Sequence, residues 1–170
     1  MILLDTSILS TFARADGLDL LWELFPRTEI GITPAVFREV VAAVSQGRRW
    51  LERIPFLVSE GRLKLTTPSA SEILASEALP DSLGLGEREG IAFCKAHGWT
   101  FLTNDRRART FCAEIGVEAF DVAGLLRLLW TKNVRSKGFI RSLLQRMEQL
   151  EGLVVKNKDR IFKGRAGHLD

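Results

Sequence analysis

Four acidic residues stand at places in the 170-residue sequence where one reaction centre could bring them together: Asp5, Glu39, Glu87 and Asp105. Their carboxylate oxygens are the hard ligands that Mg²⁺ and Mn²⁺ prefer. Such an ion polarises a phosphodiester and lowers the pKa of a bound water, so that hydroxide can attack phosphorus in line. If the four side chains converge, the sequence therefore predicts metal-dependent hydrolysis of phosphodiesters.

Each of these acids also has an ordinary structural explanation. Asp5 and Asp105 precede predicted helices and could simply cap them. Glu39 could be a solvated helix residue, and Glu87, in a first helical turn, is favourable against the helix macrodipole. No single position decides between the two explanations. The prediction of a site depends on all four acids occurring in order, each on a suitable element.

The hydrophobic pattern predicts the elements that position these acids. Short apolar runs alternate with longer helical patterns, which is typical of βαβ units, so we expect an α/β fold around a parallel sheet. The predicted strands cover residues 2–4, 29–32, 63–65, 100–103 and 117–120. The predicted helices begin near Thr6, Asp19, Pro34, Ser69 or Ser71, Glu87, Arg106, Val122 and Phe139. Asp5 and Asp105 then follow strands, at the edge where open α/β sheets place their binding crevice.

Two finer predictions concern helix ends and helix faces. Thr6 and Ser7 are good N-cap candidates for the first helix, and Thr33 caps a helix that has Pro34 at its first position. That helix is expected to bury one apolar stripe: Val36, Phe37, Val40, Val41 and Val44. Glu39 lies on the shoulder of this stripe rather than opposite it.

The stretches that carry the four acids resemble the PIN-domain family, the nucleases that include the toxins of VapBC-type toxin–antitoxin pairs. These stretches are LDTS at 4–7, TPAVFREV at 33–40, LGEREGIA at 85–92 and FLTNDRRAR at 101–109. Each is short and degenerate, but their order and spacing make the match specific. The resemblance implies a three-layer α/β/α fold with a central parallel sheet, cleavage of RNA with Mg²⁺ or Mn²⁺, and a homodimer.

By position, the resemblance implies these catalytic metal ligands: Asp5, Glu39, Glu87 and Asp105. Glu89 is the alternative to Glu87. The helix that carries both residues is apolar on almost every side, so helical periodicity does not show which of the two faces the site. The hydroxyl positions that would orient ligands or water are Thr6, Ser7 and Thr103. Asn104 stands where relatives often have a second acid, which leaves open whether one metal ion is bound or two.

The formal charge of +3 is divided unevenly along the chain. Residues 1–124 carry a net charge of −4 and residues 125–170 a net charge of +7. We therefore expect a PIN-like nuclease domain at 1–124 and a basic, mainly helical extension at 125–170 packed on the same domain. The extension resembles that of a PIN-like subgroup of nucleic-acid-binding proteins, which often occur beside a small antitoxin-like partner.

The basic residues support several interpretations. Arg106, Arg107 and Arg109 would flank the metal ion and are expected to contact phosphate, or else they form a solvated helix face. A second basic run consists of Lys132, Arg135, Lys137, Arg141 and Arg146. It could contact an RNA backbone, form the surface for an antitoxin or a second copy, or serve solubility alone.

Other classes of protein are excluded by composition. No apolar run approaches the roughly 18–20 residues that cross a bilayer, so we expect no membrane association. Cys94 and Cys112 form no CxxC motif and are expected to be core residues of a cytoplasmic protein. His97 and His168 are not expected to form a catalytic pair.

The predicted function is thus a PIN-type endoribonuclease that hydrolyses RNA by metal-activated water and acts as a toxin with a small antitoxin as partner. The alternative is a non-catalytic PIN-fold module that binds RNA or a protein.

Overall fold

The computed structural model describes residues 1–151 and 158–163, and a sheet of parallel strands forms its centre. The strands are β1 (Ile2–Leu4), β2 (Ile30–Ile32), β3 (Lys64–Leu65), β4 (Thr100–Leu102) and β5 (Ala119–Phe120). Their order across the sheet is β3-β2-β1-β4-β5, and Leu3 of β1 is in register with Gly31 and Phe101 on either side. The winding direction reverses between β1 and β4. At such a switch point the carboxyl ends of the strands leave a crevice.

Helices connect the strands and cover the sheet. They are α1 (Thr6–Arg14), α2 (Asp19–Leu24), α3 (Pro34–Ser45), α4 (Arg53–Ser59), α5 (Ala70–Glu77), α6 (Leu85–His97), α7 (Arg106–Ile115), α8 (Val122–Thr131), α9 (Lys137–Glu151) and α10 (Asp159–Phe162). A short 3₁₀ helix, Arg49–Leu51, precedes α4. Among the described residues, no helix combines the length and apolar character that crossing a membrane requires.

The sheet separates two hydrophobic layers, because neighbouring residues of a strand face opposite sides. On one side, Ile2 and Leu4 join a large core to which α1, α2, α3, α8 and α9 contribute. On the other side, Leu3 and Phe101 pack against Ile91 of α6 and the adjacent face of α7. The expected three-layer α/β/α fold is therefore confirmed.

The helices after residue 124 belong to the larger core. Leu129 of α8 and Met147 of α9 are fully buried in the same cluster as Phe12 of α1. Trp130 Nε1 also donates a hydrogen bond to the Ile161 carbonyl of α10, at 2.5 Å. The described part of the basic extension is thus packed onto the sheet domain through apolar side chains.

The structure corrects two local predictions. Asp5 is the N-cap of α1, since its backbone is extended and Thr6 is already the first helical residue, so the assignment of Thr6 or Ser7 as cap was wrong. Val41 is 45% exposed, and Ala43 takes its place on the buried face of α3. In addition, α6 begins at Leu85 rather than at Glu87, which places Glu87 in the third helical position.

Gly90 sets the distance between α6 and the sheet. A Cβ built on this residue would lie 2.4 Å from Cε2 and 2.7 Å from Cζ of Phe101, whose side chain is fully buried. Glycine in a helix interior costs roughly 0.5–1 kcal/mol relative to alanine. Here that cost is offset by close packing of the helix on β4.

We expect Gly90→Ala to lower the free energy of unfolding by about 1–3 kcal/mol, because the added methyl group overpacks the core against Phe101. Thermal or urea denaturation measures this change. The matched control is Gly138→Ala in α9, where the nearest atom is Ser136 Oγ at 3.8 Å, so that higher helix propensity should leave stability equal or slightly raised. Equal stability of Gly90→Ala and the wild type would contradict this packing.

Candidate active site

Asp5 lies directly after β1 and is only 6% exposed. Its Oδ2 accepts hydrogen bonds from Ser7 Oγ at 2.6 Å and from Thr103 Oγ1 at 3.0 Å. Although Asp5 is the N-cap of α1, its side chain makes no capping hydrogen bond. The carboxylate is therefore held at the crevice between β1 and β4 instead of being used to cap the helix.

The two hydroxyl groups around Asp5 have defined donor and acceptor roles. Ser7 Oγ accepts a hydrogen bond from the Asn104 amide at 3.2 Å, and Thr103 Oγ1 accepts one from the Asp105 amide at 3.1 Å. Because each hydroxyl has one proton and the amides can only donate, both hydroxyl protons are directed to Asp5. This network fixes the orientation of the Asp5 carboxylate and ties it to the loop between β4 and α7.

Asp105 follows β4 and is the N-cap of α7. Its Oδ1 accepts a hydrogen bond from the Ala108 amide at 2.8 Å, so the helix-cap explanation of this residue is correct as far as it goes. A carboxylate has about four lone-pair sites on two oxygens. The cap therefore leaves Asp105 with capacity to bind a cation.

Glu39 reaches the same edge of the sheet from α3. Its Oε2 accepts a hydrogen bond from Thr6 Oγ1, at 2.5 Å, although the residue as a whole is exposed. Gly86 of α6 lies alongside, since a Cβ on it would be 3.3 Å from Glu39 Oε1 and 3.0 Å from Val36 Cγ2. The first turns of α3 and α6 thus meet beside Thr6, and Glu39 is directed into that junction.

Glu87 and Glu89, which helical periodicity could not separate, have different partners. Glu87 accepts a hydrogen bond from the Gly84 amide at 2.7 Å, within its own helix start. Glu89 accepts one from the Ala35 amide at 2.8 Å and lies 3.5 Å from a guanidinium nitrogen of Arg38. Glu89 therefore satisfies the amino end of α3, whereas Glu87 remains the acid that faces the other carboxylates.

The pKa of Glu87 indicates how these charges are arranged. Burial is the main cause that raises this pKa above its usual range, the hydrogen bond from the Gly84 amide lowers it, and the negative charges of Asp105, Asp5 and Glu39 each raise it by a smaller amount. Like charges have such an effect only when they lie close together in a partly desolvated place. Asp5, Glu39 and Asp105 therefore lie near enough to Glu87 for their charges to act on its pKa.

The donor set at this edge consists of carboxylates and hydroxyls, which suits a hard divalent ion such as Mg²⁺ or Mn²⁺. Within residues 1–151 and 158–163, however, no three His, Cys, Asp or Glu side chains are grouped closely enough to hold a metal ion as they stand. Three of the acids are engaged by local donors: Glu39 by Thr6, Glu87 by Gly84 and Asp105 by Ala108. The donor chemistry fits a divalent ion, and the described side-chain positions do not form a closed ligand set.

Asp121 is a further acid at this edge that the sequence analysis overlooked. It follows β5, caps α8 through the Gly124 amide at 2.9 Å and lies 3.3 Å from a guanidinium nitrogen of Arg109. Its position after a strand is the same signal that identified Asp5 and Asp105. Arg109 also donates to the Thr103 carbonyl at 3.0 Å, so this arginine braces the edge, unlike Arg106 and Arg107, whose side chains are exposed.

The two histidines do not contribute to this site as far as the described residues extend. His97 Nε2 lies 2.8 Å from Glu72 Oε1, and its ring stacks on Trp99 with centroids 4.3 Å apart. His168 lies outside the described residues. Cys94 and Cys112 are buried, and burial raises the pKa of both thiols, that of Cys112 to about 11, as expected for inert core residues.

The basic run after residue 131 is largely engaged with aromatic rings of the chain itself. Lys137 Nζ lies 4.1 Å from the centroid of Trp130, and Arg141 lies over Phe162 at 5.1 Å. Arg135 forms an ion pair with Glu23 at 2.5 Å. Lys132 lies 5.9 Å from the Phe25 ring centroid. These contacts add a fourth interpretation of this basic run, namely packing within the chain itself.

A parallel sheet between two helical layers, with carboxylates gathered at its carboxyl edge, defines a nuclease-type α/β/α fold. A family model described as the PIN domain matches residues 1–159, and the chain belongs to the PIN-domain family. PIN domains are generally nucleases that use divalent metal ions and bind RNA. A search of curated proteins gave no match to the chain.

Glu87→Gln and Glu89→Gln should change stability in opposite directions. At neutral pH, Glu87 is ionised at a cost, because its raised pKa means that the folded state disfavours the charge. Glu87→Gln should therefore raise Tm by roughly 1–3 °C at pH 7, and the gain should fade as the pH drops through the raised pKa toward 4.5 and below, where both states are protonated. Glu89→Gln should lower Tm, since α3 loses a charge at its amino end.

Differential scanning calorimetry of both variants between pH 4 and pH 8 measures these effects. A fall in Tm for Glu87→Gln at pH 7 would show that this carboxylate is a structural cap and not a member of a strained acidic cluster.

Proposed function

We propose that the chain is a divalent-metal-dependent endoribonuclease of PIN type, with Asp5, Glu39, Glu87 and Asp105 as its metal ligands. The observation that carries this proposal is the shared environment of the four carboxylates, in which Asp105, Asp5 and Glu39 together raise the pKa of Glu87. A fold uses such an energetically unfavourable cluster where a cation or a reaction requires it.

The residues around Asp5 have distinct roles in this proposal. Ser7 and Thr103 fix the orientation of Asp5 before any ligand arrives. Thr6 does the same for Glu39. When bound, Mg²⁺ or Mn²⁺ supplies Lewis-acid polarisation of a phosphate and a water of lowered pKa. The carboxylates hold that charge at the mouth of the crevice, where a single-stranded RNA can reach it.

The biological setting is also a proposal. We infer that the protein acts in the cytoplasm as the toxin of a toxin–antitoxin pair, with a small antitoxin as its partner and a homodimer as its working form. The free, buried thiols of Cys94 and Cys112 support a reducing compartment. Expression of a toxin should arrest growth. Co-expression of the protein that the neighbouring gene encodes should relieve this arrest if that protein is the antitoxin.

A non-catalytic PIN-fold module is the second candidate. It is favoured by the local hydrogen bonds that Glu39, Glu87 and Asp105 accept. If these acids had only a structural role, such hydrogen bonds would be enough to explain their presence. In that case RNA would bind with a salt-dependent affinity that a chelator does not change, and no cleavage would follow.

Asp5→Asn and Asp105→Asn should each reduce Mn²⁺-dependent cleavage of a single-stranded RNA at least about 100-fold, because a ligand contributes no less than the groups that orient it. Thr103→Val should reduce cleavage about 10- to 100-fold, because the hydroxyl group of Thr103 orients the Asp5 carboxylate. Denaturing gels of an end-labelled RNA, with Mn²⁺ or EDTA, provide the measurement.

The matched control is Asp16→Asn, since Asp16 is exposed at the far end of α1 and has the left-handed backbone (φ 53°) that asparagine adopts readily. It should cleave like the wild type. Full activity of Asp5→Asn and Asp105→Asn would remove the assigned site. Absence of cleavage in the wild type, together with chelator-independent binding, would select the non-catalytic module.

A further inference from the structure

A groove of about 490 Å³ lies beside α7, and none of the four acids of the proposed metal site lines it. One wall is the loop before α6, through Pro80 and Leu83, and the other wall is α7. The loop leads into Glu87, while α7 begins directly after Asp105. We call this feature the α7 groove. It lies between the elements that carry two of the four acids.

The α7 groove has a direction. Arg106 and Arg107 line its end nearest to Asp105, and Glu114, nine residues after Asp105, lines its other end. At a rise of about 1.5 Å per residue, the helix carries the groove about 13 Å away from Asp105. The volume falls within the range of roughly 300–1,000 Å³ that is typical of small-molecule sites. The groove is therefore suited to one nucleotide beside the acids rather than to a longer segment.

The basic end of the α7 groove is unfavourable for the fold itself. Arg106 and Arg107 occupy the first two positions of α7, where the positive end of the helix macrodipole repels cations. Both side chains are exposed, and in the described part of the chain neither forms an ion pair, in contrast to Arg109 with Asp121. Two adjacent cations at the amino end of a helix lower the stability of the fold, and no acid of the described chain forms an ion pair with them. Their presence indicates that they bind an anion from outside the chain.

The far part of the α7 groove is apolar with polar groups at its margin. Phe111 is half-buried, Leu83 is buried beneath the groove, and Pro80 closes the loop side. Thr110 and Glu114 add a hydroxyl and a carboxylate. An aromatic ring of this kind offers a stacking surface for a nucleobase, and the carboxylate can accept hydrogen bonds from amino groups at a base edge.

We propose that the α7 groove binds the nucleotide that adjoins the scissile phosphate of a single-stranded RNA. Arg106 and Arg107 bind its phosphate, and Phe111 receives its base. This assignment rests on the proposed function, because it takes Asp105 as the neighbouring catalytic position. It makes the groove the place where the enzyme selects the base next to the bond that is cut.

The experiment uses the full chain and a fluorescent 8-mer of single-stranded RNA in EDTA, so that binding is measured without cleavage. The double variant Arg106→Ala/Arg107→Ala should weaken binding at least about tenfold at low salt. It should also reduce the slope of log affinity against log salt by about 1.4, as expected for two lost phosphate contacts on a single strand. Its Tm should stay equal or rise, since two cations leave the amino end of α7.

The matched control is Arg48→Ala/Arg49→Ala, another adjacent pair of exposed arginines, located beyond the carboxyl end of α3 and thus away from the sheet edge. It should bind RNA like the wild type. Phe111→Leu keeps an apolar side chain but removes the aromatic surface. It should weaken binding of the RNA about fivefold or more and leave binding of inorganic polyphosphate unchanged.

The two proposals fail separately in this design. If the double arginine variant binds RNA like Arg48→Ala/Arg49→Ala, the assignment of the α7 groove is overturned, whether or not the wild type cleaves RNA with Mn²⁺. If the wild type does not cleave but the double variant and Phe111→Leu lose affinity as expected, the nuclease proposal fails and with it the position beside a scissile phosphate, while the α7 groove stands as a nucleotide-binding site. A third outcome would also overturn the assignment. If the double arginine variant loses binding of polyphosphate but Phe111→Leu binds RNA like the wild type, the α7 groove is an unspecific anion site.

Discussion

Repulsion between carboxylates is the constraint around which this structure is organised. Four acids from β1, α3, α6 and the start of α7 approach one edge of the sheet, and burial strengthens the repulsion by excluding water. The fold offsets this repulsion with hydroxyl protons and backbone amides, of which Ser7 and Thr103 at Asp5 are the best defined. A chain stabilised only for its own sake would place a neutral residue at Glu87. In the proposed function, a bound divalent ion would offset this repulsion.

Much of the fold, and the placement of Asp5 and Asp105 after neighbouring strands, could be predicted from the sequence, because both depend on short-range patterns. Apolar runs identify strands, and parallel strands bring the residues after them, Asp5 and Asp105, to one edge. The choice between Glu87 and Glu89 could not be made that way, because it depends on where the amino end of α3 lies relative to α6. Asp121 was missed although it follows the predicted strand at 117–120, because it lies outside the four stretches that carried the family resemblance.

The basic extension shows why net charge is a weak guide to partners. Its charge of +7 suggests a surface for nucleic acid or an acidic protein. In the structure, several of these cations lie over aromatic rings or pair with acids of the main domain, so their stems and charges are partly used for packing. By contrast, Arg106 and Arg107 add nothing to the net charge of the extension, yet they are the cations placed next to the acidic edge.

Glu89, which lies outside the acidic cluster, has a geometric consequence for it. Its hydrogen bond to the Ala35 amide joins the beginnings of α3 and α6, and the absence of a side chain at Gly86 lets the same two turns touch. Glu39 and Glu87 are thereby carried on one rigid unit of two helices, whereas Asp5 and Asp105 are carried on the sheet. Two of the acids are therefore placed by the helix pair and two by the sheet. The distance between these two pairs of carboxylates is set by how the helix pair packs on the sheet.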